Sequence, residues 1–430
     1  MHADARDLNK VLEDSIVASL LSPYGQAIYF PKGIVAQSAE AGQKAYDINA
    51  TAGVALEMGK PIHLSSISEA VPAFPAQKLV SYSPTSGDMV LRQKWQEEII
   101  RKNPSLTGKS FSLPVVTAGL THALSLAADL FVGQGDTVLI PEPCWDNYPL
   151  IFETRHNADL VSYPLFNRQN QLAIEELRLA VMAVDHGKVV VLLNFPNNPT
   201  GYTPTQNEWE ALAEALASCA LSGKHLVVLI DDAYFGLFHT QECARESMFA
   251  ALCTLSGNLL AVKCDAATKE AMVWGFRVGF ITFGAKGLSS AHYGALVQKT
   301  MGAIRSSVSS CSTIGQSLLV SALSDPRFHM ETARGCEEMR ERYRLVQRAL
   351  ELYRPTEARL CPLPFNSGYF FSFRCLRDAK ILRTYLLETY GVGTVSIGEQ
   401  YLRVAYSSVD RESIERFVGL VYRAAGEAWK

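Results

Sequence analysis

The chain has no apolar run approaching the roughly 20 residues that a membrane-spanning helix needs, and its amino end, MHADARDLNKVLEDS, has no apolar signal core. It also lacks an excess of either charge. Forty basic against 43 acidic residues leave a formal charge of −3, with no long block of one sign, so neither nucleic acid nor a membrane surface is an expected partner. The nine cysteines are odd in number, scattered and free of any CxxC pair. That argues against a disulfide frame or a zinc site and for reduced thiols in a cytoplasmic protein. No internal repeat and no low-complexity segment stands out. What these absences leave is a 430-residue globule suited to small-molecule chemistry.

What is present is an alternation. Short β-branched runs bounded by turn residues occur at 113–119, 136–143, 188–196, 224–234 and 278–284, with helical stretches at 121–133 and 207–223 between them. Strand and helix in turn predict an α/β fold, a mostly parallel sheet covered by helices. From residue 326 the character changes to a long charge-rich helix closed by Pro355, then strand, helix, strand and helix. The expectation is a large domain over 71–325 and a smaller α+β domain built from both chain ends, 1–70 and 326–430.

In a parallel sheet, ligands collect beyond the carboxyl ends of the strands, so the polar residues after each apolar run are the candidates. After 113–116 come Gly119, Leu120 and Thr121, a small turn opening a helix; taken alone it reads as a plain cap, with a phosphate cradle of free N–H groups as the second reading. After 136–140 come Trp145 and Tyr148, which alone suggest packing under a loop. The run LLNFPNNPTGY at 192–202 ends in Asn194, Asn197 and Asn198 among prolines, and 224–230 ends abruptly in Asp231, Asp232 and Tyr234. One of those two carboxylates is expected to be buried, and a buried carboxylate wants a cation. Lys269 precedes Arg277 by eight residues, with glycines flanking the arginine; taken alone these are two surface charges. Together the set supplies what pyridoxal 5′-phosphate requires: an amine for the aldehyde, an acid for the pyridine nitrogen, donors for the phenolic oxygen, a ring to stack on and a cation for the phosphate.

On these motifs the sequence resembles the aspartate aminotransferase family of fold type I pyridoxal-phosphate enzymes, from about Tyr82 to Arg403. The resemblance implies that Lys269 bonds the cofactor aldehyde, Asp231 pairs with the pyridine nitrogen, and Asn198 and Tyr234 donate to the phenolic oxygen. It implies Trp145 against the ring, with Gly119, Leu120, Thr121, Thr268 and Arg277 on the phosphate. It matches Tyr82 to a tyrosine reaching the neighbouring subunit's phosphate, hence a homodimer with shared active sites. Arg403 corresponds to the arginine that clamps the substrate α-carboxylate, and Arg305 stands about where dicarboxylate-specific relatives carry a second arginine.

Departures accompany the likeness. Ala266 stands where a serine or threonine is usual, leaving Thr268, and Leu120 offers only its backbone N–H where serine is common. The stretch NATAGVALEMGKP lacks the family's usual opening there, and Gly53 within it reads as a turn glycine. His122 and Cys144 are given no role. The implied activity is ping-pong transfer of an amino group between an L-amino acid (aspartate, glutamate or an aromatic one) and a 2-oxo acid. A lyase, decarboxylase or cyclopropane-forming enzyme of the same fold is the alternative. A regulator is disfavoured for want of a basic recognition helix before Tyr82, and a non-enzymatic binding protein for the joint presence of Lys269 and Asp231.

Overall fold

The structure is a computed structural model describing residues 1–12, 26–27, 33–51, 53–70, 74–185, 187–354 and 359–430. Seven strands form the central sheet: β1 (Val115–Thr117), β2 (Thr137–Glu142), β3 (Asp159–Pro164), β4 (Lys188–Asn194), β5 (His225–Asp231), β6 (Leu259–Ala266) and β7 (Gly279–Gly284). Their order is β1-β7-β6-β5-β4-β2-β3. The five strands β2 to β6 pair in parallel, while β7 runs antiparallel to both its neighbours.

Strands β4 and β5 are buried along their whole length except for their first residues, which is why they read as unbroken apolar runs rather than as alternation. Successive side chains still go to opposite faces. Val189, Val191 and Leu193 of β4, with Leu226, Val228 and Ile230 of β5, pack in one core with Leu212 and Leu216 of the Gln206–Leu221 helix. Val190, Leu192, Val227 and Leu229 pack in the other, against Ala123, Leu124 and Ala127 of the Leu120–Phe131 helix. The helix over 206–221 begins in a capping box, Thr205 with Glu208.

A second, antiparallel sheet of β8 (Leu360–Pro362), β9 (Phe370–Cys375), β10 (Val395–Ile397) and β11 (Tyr401–Ala405) has the order β8-β9-β11-β10. Its core gathers the Ala379–Tyr390 and Arg411–Ala428 helices, the end of the long Phe328–Leu352 helix, and Ile48 and Ala50 from the amino-terminal side. Leu64 and Ile67 pack instead in the core of the central sheet. Of the amino-terminal stretch assigned by sequence to the smaller unit, residues 13–25, 28–32 and 52 lie outside the described residues. Among the described residues no helix is long and apolar enough to cross a membrane.

Candidate active site

One cavity opens at the carboxyl ends of β1, β2, β4, β5 and β6. It is lined by Leu120, Thr121, Trp145, Asn198, Asp231, Tyr234, Thr268, Lys269 and Arg277 of the sequence-derived set, together with Tyr148, Asn194, Ala233 and Ala266. Lys269 lies at the floor, its Nζ 5.1 Å from the centre of the Tyr234 ring. Burial, and after it the charge of Arg277, draws this amine down to about 8, with Asp231 pulling the other way. A fraction of the amine is therefore unprotonated near neutral pH, as a nucleophile and base must be.

The period-two rule separates the two aspartates. Asp231, the last residue of β5, faces the 120–131 helix side, where the Tyr148 hydroxyl donates to its Oδ2 at 2.8 Å and the Ala233 amide to its Oδ1 at 3.1 Å. Asp232 points to the opposite face, where Lys263 pairs with it and Ser247 donates to it at 2.5 Å. The expectation that one carboxylate is buried is corrected: both are, at 3% exposure each. Of the two, only Asp232 has an ion-pair partner among the described residues. Burial raises Asp231 to about 6 despite its two donors. A buried carboxylate with hydrogen bonds but no direct cation fits a protonated ring nitrogen.

At the other end of the cavity, Gly119 caps the 120–131 helix at φ 85°, and a β-carbon there would fall 2.3 Å from Nη2 of Arg277. The glycine thus lets the guanidinium lie against the free N–H groups of the first helical turn, an anion cradle with a charge added. Thr121 and the buried Thr268 offer hydroxyls at this end; the side chain of Ala266 offers none. Trp145 forms a wall, edge-on to Tyr148 at 5.5 Å. Tyr234 keeps its proton because burial pushes its pKa up, so it can donate into the cavity. The donor set, the cradle that a β-carbon would fill and the cation-seeking Asp231 all fit pyridoxal phosphate.

Arg403, on β11, is 3% exposed. Its Nη1 donates to Asn198 Oδ1 at 3.2 Å and its Nη2 to the Thr51 carbonyl at 2.9 Å, and its guanidinium lies 4.4 Å over the Phe370 ring. Among the described residues its buried Nε has no hydrogen-bond partner. Desolvation pulls the group down to about 10, so a carboxylate reaching it would be a favourable partner.

The chain matches the family model of class I and II aminotransferases over residues 52–421. It belongs to that family. The membership makes it a pyridoxal-phosphate-dependent transferase. An aspartate aminotransferase of Musicola paradisiaca is 31% identical over 173 residues, 39% of each chain, and the aromatic-amino-acid aminotransferase of Escherichia coli K12 is 24% identical over 309 residues, 70% of this chain and 73% of that one. Among solved structures, an aminotransferase from Anaerococcus prevotii superposes with a TM-score of 0.81 at 20% identity, covering 92% of this chain and 96% of that one. The kynurenine aminotransferase of Pyrococcus horikoshii superposes at 0.79 and 18% identity, covering 97% and 99%. These superpositions carry the fold type I architecture.

Four sequence-derived residues of this aminotransferase are outside the cavity lining: Gly119 and Arg403 adjoin it through Arg277 and Asn198, whereas Tyr82 and Arg305 touch none of the lining residues through a hydrogen bond among the described residues. Tyr82 is 94% exposed, and Arg305, near the end of the Ser290–Ser307 helix, donates to Ser309 at 2.5 Å. Conversely, sequence reading missed two contacts. Tyr148 was read as packing, yet its hydroxyl serves Asp231. Asn194, to which no motif gives a role, donates from Nδ2 to the Asp231 carbonyl at 2.9 Å and accepts at Oδ1 from the Asn198 amide at 2.8 Å, fixing the two loops to each other. Its signal was positional: a polar residue ending a buried strand beside the strand that ends in Asp231.

Proposed function

We propose that this aminotransferase moves an amino group between an L-amino acid, aspartate, glutamate or an aromatic one, and a 2-oxo acid, by a ping-pong mechanism. The observation that carries the reading is Arg403, a buried guanidinium whose Nε has no partner among the described residues and whose Nη1 donates to Asn198, a residue that lines the cavity with Lys269. Pyridoxal phosphate, when bound, supplies an aldehyde carbon for the amino group and a ring that accepts electrons. Arg403 binds the α-carboxylate of the amino acid, which orients its α-carbon toward Lys269. Lys269 Nζ takes the proton from that carbon and later returns it. Asp231, held as a carboxylate by Tyr148 and the Ala233 amide, keeps a proton on the ring nitrogen. Tyr234 and Asn198 serve the phenolic oxygen, Trp145 the ring face, and Gly119, Leu120, Thr121, Thr268 and Arg277 the phosphate.

The reading extends to the assembly. Tyr82, fully presented to solvent, supports a homodimer in which it reaches the partner's phosphate end, with Arg305 directed to a side-chain carboxylate across the same interface. The domain division at 71–325 belongs to the same proposal, supported by the separate core of the second sheet, and so does a cytoplasmic location, supported by nine free cysteines.

The test is spectroscopic. Purified protein reconstituted with pyridoxal phosphate should show a visible band that Lys269→Ala abolishes, and that aspartate, glutamate or an aromatic amino acid bleaches with release of the matching 2-oxo acid. Bleaching by no amino acid, or release of free ammonia along with the 2-oxo acid, would overturn the transaminase reading.

A further inference from the structure

The elements that bear the site residues are far apart in sequence, and one short stretch, 366–370, touches those that carry Asn198, Tyr234, Lys269 and Arg403. Asn366 and Ser367 donate their amides to the Gly201 carbonyl at 3.0 and 2.9 Å, which anchors them to the loop carrying Asn198. The Gly368 amide donates to Leu237 O at 2.8 Å and the His239 amide to Asn366 O at 3.0 Å, which anchors the loop carrying Tyr234. Phe370 packs edge-on against Tyr234 at 5.3 Å and beneath Arg403. Between them Tyr369, fully buried, donates its hydroxyl to the backbone carbonyl of Lys269 at 3.0 Å.

That last contact matters because Lys269 lies in a turn between regular elements, where the Ala271 amide donates to the Ala267 carbonyl at 2.9 Å and the Val273 amide to the Thr268 carbonyl at 3.0 Å, and Tyr369 adds a side-chain bond to the Lys269 carbonyl itself. β6 ends at Ala266, and the next regular strand begins at Gly279, with Met272 and Arg277 in the left-handed region between them. The Lys269 carbonyl accepts from the Met272 amide at 3.3 Å and from Tyr369. The next residue, Glu270, is pinned by Lys102 at 2.7 Å on the other side. The ring of Tyr369 is placed by packing edge-on to Tyr234 at 5.5 Å, so the hydroxyl reaches Lys269 from a rigid support.

We infer that Tyr369 is a positioning residue for Lys269: its hydroxyl fixes the carbonyl of the lysine that carries the substrate proton, and so fixes the line along which the amine approaches the α-carbon. The inference rests on the transaminase reading given above. Proton transfer is steep in donor–acceptor geometry, so a loosened lysine loses rate at the chemical step without losing substrate affinity.

The test is Tyr369→Phe, which keeps the ring and removes one oxygen. In the holoenzyme, kcat should fall between about three- and tenfold, the range one neutral hydrogen bond supports. KM should stay within about twofold, and the isotope effect on kcat from an α-deuterated donor should rise as proton transfer becomes more rate-limiting. In the cofactor-free protein, amide exchange over 270–273 should quicken while exchange in β9 stays as it was. Unchanged kcat and unchanged exchange overturn the inference. So does a rise in exchange spread evenly over the chain with kcat and KM changing together, which would assign Tyr369 to packing. Should the unsubstituted enzyme turn over no amino acid, the reading of function fails, and the exchange comparison still decides whether Tyr369 holds Lys269.

Discussion

Replacing Asp231 by Asn should stabilise the cofactor-free protein at neutral pH and leave it unchanged in acid. Asp231 is buried against Tyr148, the Ala233 amide and, more distantly, Lys269 and Asp232, and its proton is held up to about pH 6 against an ordinary 3.8. The folded chain therefore binds a proton that the unfolded chain has released between about pH 4 and 6. Stability falls as the pH rises through that window. At roughly 1.4 kcal/mol per pH unit the loss is about 3 kcal/mol. With an unfolding entropy of about 2 cal/mol/K per residue, this chain changes by about 0.9 kcal/mol/K, so the loss corresponds to a fall of about 3 °C in melting temperature. Asn carries no charge and, like the protonated acid, has one acceptor oxygen for the Ala233 amide and a donor that can turn to the Tyr148 oxygen, so its curve should lack this fall. The assay is the melting temperature of both cofactor-free proteins at pH 4 and pH 7.5, read as the difference between the two pH dependences so that other titrating groups cancel. Pyridoxal phosphate should then stabilise the unsubstituted protein more than the variant, since the ring nitrogen brings the missing cation. Parallel curves for the two proteins would refute the argument that Asp231 is a buried charge awaiting that cation.

Gly119→Ala forces a β-carbon into a position 2.3 Å from Arg277 Nη2 at a φ of 85°. Losing one charge-assisted hydrogen bond should weaken pyridoxal phosphate binding roughly tenfold or more while kcat at saturating cofactor changes little, as a fluorescence titration of the cofactor-free protein would show. Lys263→Met removes the cation that pairs with Asp232 and lies 3.4 Å from Asp265, both buried. It should cost about 3–5 kcal/mol and lower the melting temperature by several degrees. An unchanged melting temperature would mean that Asp232 is already neutral.

The cofactor end of the site was legible because its residues sit where topology puts them. Asn194, Asp231 and the turn after β1 all close buried strands, and in a parallel sheet that position alone assigns them to the binding edge. What sequence leaves open is the choice between neighbours with the same chemistry, and the structure resolves it by the pleat. Odd-numbered residues of β5 from Val227 share a face with the 120–131 helix, so Asp231 turns to Tyr148 and Asp232 to Lys263 on the even-numbered side. The contacts that escaped sequence reading share a different cause. Tyr148 reaches Asp231 across 83 residues and Tyr369 reaches Lys269 across 100, and a tyrosine that packs is spelled the same way as one whose hydroxyl finds a partner. Tyr148 stands in the cavity wall beside Asp231, whereas Tyr369 reaches the Lys269 backbone from outside the lining. Each is buried, each places its hydroxyl with a ring fixed by edge-on packing, and each acts on a group that must be held in one position while bonds change. Support of this kind follows from the packing of distant elements and leaves no spacing or motif to read, so in this fold the reacting residues are written at strand ends and the residues that hold them are written only in the core.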